Sequence, residues 1–169
     1  MKKIVTMVLV ATGLLVANNH LQAQTKIGFI NLSELIQAMP EYKKADTALV
    51  DYSNALNQQF EDYQKEFNEK DSLLSSKDTA KYTKAQLQLK RNSLGELYVK
   101  LQGWQQQAGQ LYQKKQQDLI APIQSRAVET VQNVAKENGY TYVFSKEALF
   151  VSPPADDLLP LVKKKLGIK

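Results

Sequence analysis

The chain is 169 residues long, with 22 basic side chains against 17 acidic ones, no cysteine and a single histidine. That basic excess is too small and too dispersed for nucleic acid, which wants a clustered positive footprint. Thiol and histidine-based nucleophile systems and the usual zinc sites are equally out of reach once the one histidine, His20, is set aside with the leader described next.

Residues 1–23 have the three parts of a secretory signal peptide. Lys2 and Lys3 supply the positive start, "IVTMVLVATGLLVA" the apolar run, and "LQA" a small residue, Ala23, before Gln24. The run is short of the ~18–20 apolar residues a membrane anchor needs. No cysteine follows it, so lipoprotein attachment is not expected. The chain from Gln24 onward keeps 20 bases and 17 acids and no histidine. It also has no glycine-rich phosphate loop. No catalytic residue, metal ligand or cofactor is predicted, and an enzyme is not expected.

Lys26 to Asn31 reads as a short strand, Ile27 and Phe29 on one face and Ile30 on the other, a pattern of burial on both sides. Asn31 or Ser33 can cap a short helix from Leu32 to Met39, which Pro40 interrupts.

From Glu41 to Gln117 the composition changes. Leu, Ile, Val and Phe account for only 14 of these 77 residues, sparse enough to suggest disorder. Spacing argues otherwise. Ala45, Leu49, Tyr52, Leu56, Phe60, Tyr63, Phe67 and Leu74 follow steps of three and four, with Lys70 filling one slot. Leu94, Leu97, Leu101, Trp104, Ala108 and Leu111 repeat the pattern after a break at "SSKDTAK", residues 75–81. Two long helices meeting at a tip near residues 75–81 are predicted, antiparallel and in contact along a narrow seam. The first arm would be roughly 54 Å long at 1.5 Å per residue. Five acids in residues 61–71 face five bases in residues 81–100 (Lys81, Lys84, Lys90, Arg91 and Lys100), which suits antiparallel docking.

Beyond Gln117 the apolar stripe widens through Ile120, Ile123, Ala127, Val128, Val131, Val134 and Ala135, the face of a core helix. Pro122 should bend this helix or mark a new start capped by Asp118, and Gly139 should stop it. Residues 140–145 ("YTYVFS") and 148–152 ("ALFVS") read as two further strands. Asp156 or Asp157 then caps a last helix through Leu166. Three short apolar strands cannot complete a sheet alone. Pairing with other copies of the chain through Ile27, Phe29, Tyr142, Val143, Phe144, Leu149 and Phe150 is therefore expected.

The fold class predicted is α+β: residues 24–40 and 118–169 form a small β-containing body, and residues 41–117 a helical hairpin arm. "IGFINLSELIQAMPEYKKA", "LIAPIQSRAVETVQNVAKENGYTYVFS" and "PPADDLLPLVKKKLG" resemble the Skp/OmpH family of periplasmic chaperones across the chain from Gln24. The resemblance implies a trimer whose strands form a central body. Its arms surround an unfolded outer-membrane protein without using ATP. Some members are strongly basic and attract lipid A phosphates. Here residues 41–137 carry 14 bases and 13 acids, so lipopolysaccharide binding is not carried over.

The same resemblance gives a role to "QGWQQQAGQLYQKKQQ", residues 102–117, where eight of sixteen residues are glutamine. A polar arm with a few aromatics offers many weak contacts. Tyr63, Phe67, Tyr82, Trp104 and Tyr112 are the client-contact candidates wherever their rings leave the seam. The 3-4 spacing also allows Trp104 to fill the seam itself. The other functional class is a non-enzymatic envelope adaptor binding a folded partner through the arm tip. That reading calls for a sharp apolar patch there, and "SSKDTAKYT" offers only Tyr82.

Overall fold

The computed structural model describes residues 25–168; the predicted cleavage site at Ala23 and Gln24 lies outside them. Strand β1 (Ile27–Ile30) leads into helix α1 (Leu32–Ala38), and two long helices follow: α2 (Pro40–Ser75) and α3 (Lys84–Glu137). Strand β2 (Tyr142–Ser145) and helix α4 (Leu159–Leu166) complete the chain.

Local chemistry sets most of these boundaries. The Asn31 side chain accepts a hydrogen bond from the Glu34 amide at 2.9 Å, capping α1. Met39, held extended before a proline, ends α1, and Pro40 opens α2 at a position where its missing N–H is no loss. The tip is a 3-10 turn over Lys77–Lys81. Thr83 and Gln86 then form a reciprocal capping box that starts α3, at 2.9 and 3.3 Å. Gly139 (φ 72°) follows α3 and Gly167 (φ 70°) ends α4, each in the left-handed conformation that side chains disfavour. At α4 the N-cap is Leu158 rather than Asp156 or Asp157 and no side chain caps the helix; the Asp157 carboxylate, one residue earlier, accepts from the Leu159 amide at 2.9 Å.

Two expectations need correction. Helix α3 is one continuous helix of 54 residues that passes through Asp118 and Pro122, so no new helix starts there. Asp118 caps nothing and pairs instead with Lys114 one turn back, at 3.1 Å. Pro122 removes only the hydrogen bond to the Asp118 carbonyl, while Ile123, Ala127 and Val131 beyond it pack into the core. The second correction concerns residues 148–152, which form no strand. A 3-10 turn over Lys146–Ala148 closes with the Leu149 amide on the Lys146 carbonyl at 3.1 Å, and no described strand lies beside the segment to pair with it. A strand exists only as part of a ladder.

The two strands that do form are parallel, from Ile27 opposite Tyr142 to Ile30 opposite Ser145. On its other side β1 makes a single bridge, Phe29 to Asp157, and the Leu158 amide donates to the Phe29 carbonyl at 2.9 Å. The core lies under this pair. Leu35, Met39, Leu158 and Val162 are fully enclosed, with Ile30, Ala127 and Val134 around them. Fully burying a side chain of this size contributes roughly 1.5–3 kcal/mol.

Gly28 is where the layers meet most closely. A Cβ there would run into the Leu158 side chain and sit 2.9 Å from the Tyr140 ring, whereas at Gly109, on the arm, it would meet nothing within 4 Å. Opposite effects are expected. Gly28→Ala should destabilise the body by about 1–3 kcal/mol, as overpacking does. Gly109→Ala should stabilise α3 by up to about 1 kcal/mol. Urea unfolding followed by circular dichroism checks both; a Gly28→Ala protein as stable as the parent would contradict the packing described.

Candidate functional site

The arm is α2 lying antiparallel to the first two-thirds of α3. The pairing is readable from cross-contacts whose numbers rise on one helix as they fall on the other: Lys70 to Ser93, Phe67 to Tyr98, Tyr63 to Trp104, and Lys115 over Tyr52. Leu97 and Trp104 are buried in the seam, as are Ala45 and Leu49 at the base of α2. Most other seam positions, from Tyr52 to Leu74 and from Leu94 to Leu111, are only half-buried. The seam predicted by spacing is present, and it is narrow.

Of the two places open to Trp104, the structure has the seam. Its ring stands edge-on to Tyr63, centroids 5.1 Å apart, and its indole N–H donates to the Leu56 carbonyl at 3.3 Å. Lys100 lies over the other ring of that pair, 4.0 Å from the Tyr63 centroid, and Lys90 over Tyr82 at 4.7 Å. Part of the basic cluster thus covers aromatic rings. Lys70 reaches across to Ser93 at 2.7 Å while pairing with Glu66 on its own helix.

The five aromatic candidates are not gathered into one site. Tyr63, Phe67 and Trp104 occupy the mid-arm seam. Tyr82 borders a broad polar cleft of about 890 Å³ at the tip, with Glu61, Lys65 and Glu69. Tyr112 lines a recess of about 290 Å³ at the base, with Tyr42 and Ile120. Around them the glutamines of residues 102–117 are all exposed.

At the body, the seven residues predicted to join subunits divide. Phe29 is buried at 3% exposure and Val143 packs against the core. Ile27, Tyr142 and Phe144 stand 45–57% exposed, Leu149 is half-buried, and Phe150 is wholly open beside Val151. Next to β2 runs a groove of about 420 Å³, lined by Val128, Val131 and Ala135 of α3 and by Val143 and Phe144. Sequence reasoning did not find this groove. Its α3 residues carry only the ordinary stripe of a core helix, and the signal lies in their position beside an edge strand.

A small two-stranded body holding one long, sparsely packed hairpin defines a class of arm-bearing, largely helical proteins. Residues 26–166 match the OmpH-like outer membrane protein family, and the chain belongs to that family. The architecture is shared with the crystal structure of a candidate outer membrane chaperone (OmpH-like) from Caulobacter crescentus CB15. The TM-score is 0.61 at 16% identity, over 88% of each chain. No curated protein matches the sequence.

Substituting Trp104 separates its contributions. Trp104→Phe should weaken the arm by about 1 kcal/mol through loss of the bond to Leu56. Trp104→Ala should remove about 3 kcal/mol as the ring contacts go too. Denaturant unfolding read by helical circular dichroism reports both; an unchanged midpoint for Trp104→Ala would place the ring outside the seam.

Proposed function

We propose that this protein is a non-enzymatic, ATP-independent holdase chaperone of the periplasm. In this reading it is exported through the predicted signal peptide and assembles as a homotrimer. Its arms enclose unfolded outer-membrane proteins and keep them from aggregating. The observation that carries it is the division between a packed body and an arm about 54 Å long that buries so little. Family membership and the fold shared with the Caulobacter protein support the same reading.

Assembly follows from the body's unfinished sheet. β2 has an edge that pairs with no described strand, and apolar side chains flank it. An exposed apolar edge of this kind is a template for another chain. Phe150 and Val151 of one subunit are of a size to enter the groove beside β2 of the next. Repeated head to tail, that contact closes a ring. Ile27, Tyr142, Phe144 and Leu149 join the interface from the strand side. Phe29, already buried within its own subunit, supports it from beneath.

Clients would be held by many weak contacts acting together, since enclosure raises the effective concentration of each. The rings of Tyr82 and Tyr112 contribute at the clefts near tip and base, and those of Tyr63, Phe67 and Trp104 only through their outer edges. The cleft at the tip is lined mainly by polar and charged side chains, which does not favour the adaptor reading.

Light scattering coupled to size exclusion should report three subunits, and a stable monomer at micromolar concentration would contradict the assembly. Phe144→Asp should dissociate the trimer and leave the subunit folded. The residue is 45% exposed in one chain, and an unpaired charge trapped between chains costs several kcal/mol.

The chaperone itself is tested by aggregation of an unfolded outer-membrane β-barrel protein without nucleotide. The intact protein should suppress it, and a variant lacking residues 61–100 should remain trimeric but fail. Single alanine substitutions in the arm should weaken capture only modestly. One point change that abolished capture with the arm still folded would replace the enclosing cavity with a discrete site.

A further inference from the structure

The middle of the arm has a feature that neither the seam nor the body explains. No side chain is ionised between Asp51 and Glu61 on α2, nor between Lys100 and Lys114 on α3. The two neutral stretches lie side by side, joined by Trp104 to the Leu56 carbonyl and to Tyr63. Elsewhere no uncharged run on either helix exceeds seven residues, the longest being residues 119–125.

Within this band α3 presents Gln102, Gln106, Gln110 and Gln113, spaced four, four and three, on one face of the helix. At 100° per residue that face lies roughly 120–180° around from Trp104, pointing away from α2. All four are exposed, and among the described residues none of their side chains has a hydrogen-bond partner. Asn54 and Asn57 of α2 are exposed in the same band.

Solubility alone does not ask for this pattern, because lysine and glutamate solubilise a helix equally well and form helix as readily. What distinguishes a carboxamide is that it is uncharged and carries both a donor and an acceptor, the inventory of a peptide group. An unfolded chain offers an unpaired N–H and C=O at almost every residue. A charged face would select clients by sign, and an apolar face by side chain. A neutral amide face matches the main chain, which is itself neutral and the same in every client.

We propose that this glutamine face of α3 is a docking surface for unfolded polypeptide, recognised through backbone amides and without regard to side chains. The proposal rests on the holdase reading and names its recognition chemistry. Each bond is weak against water, so grip comes from number and release needs no switch.

The test uses the full protein from Gln24 and two labelled probes. One is an unfolded peptide long enough to span the band. The other is a peptoid with the same side chains moved onto nitrogen, which has no backbone N–H. The variant is Gln102→Ala/Gln106→Ala/Gln110→Ala/Gln113→Ala, whose arm stays helical because alanine is the best helix former, as circular dichroism checks.

By fluorescence anisotropy the parent should hold the peptide roughly tenfold more tightly than the peptoid, the worth of one or two net hydrogen bonds, and the variant should lose the preference. Equal binding of the two probes by the parent, or a preference kept by the variant, overturns main-chain recognition. If aggregation of the unfolded β-barrel protein is still suppressed in that case, the holdase reading survives. If it is not, both fall together.

Discussion

Two helices lying side by side can bury only a stripe of each other, and the rest of this structure depends on that limit. Along the arm the enclosed side chains are few and widely spaced. A hairpin of this kind does not hold its own geometry; its base has to be fixed elsewhere. The cluster around Leu35, Met39, Leu158 and Val162 does so, because β1, α1, α2, α3 and α4 all meet there. Helix α3 contributes to body and arm without interruption, so the orientation of the arm is set where Ile123, Ala127, Val131 and Val134 are packed.

Charge plays a supporting part at the same place. Arg126 with Glu41, Lys163 with Glu34 at 2.9 Å, and Lys165 with Glu137 at 2.8 Å each tie two different helices of the body. These pairs are largely exposed and contribute only ~0–1 kcal/mol each. Their value lies in register. Toward the tip the arrangement loosens into amphipathic contacts such as Lys100 on Tyr63. An arm so built is anchored at one end and buries little along its length, the property on which the proposed holdase reading draws.

The hairpin was legible in the sequence because its signal is periodic and local: apolar steps of three and four on both sides of "SSKDTAK". Asn31, Pro40 and Gly139 announced their boundaries through backbone chemistry that needs no tertiary context. At Pro122 the local chemistry left a bend or a new start open, and α3 continues through it with apolar residues packed on both sides. Residues 148–152 had a strand's composition but no neighbour to pair with, a fact no local pattern contains. Phe29 and Phe144 look alike in a list of apolar strand residues. β1 lies between β2 and the backbone at Asp157 and Leu158 whereas β2 is an edge strand, and the first ring is buried while the second is in the open.

Stability in such a molecule is concentrated at the base and thins along the arm. Hydrogen exchange measured residue by residue tests it most directly, because exchange reports local opening. Protection should be greatest at residues 27–39, 123–135 and 158–162, and should decline along both helices to its lowest value near residues 65–100. Uniform protection from base to tip, or an arm that exchanges more slowly than the body, would contradict the account.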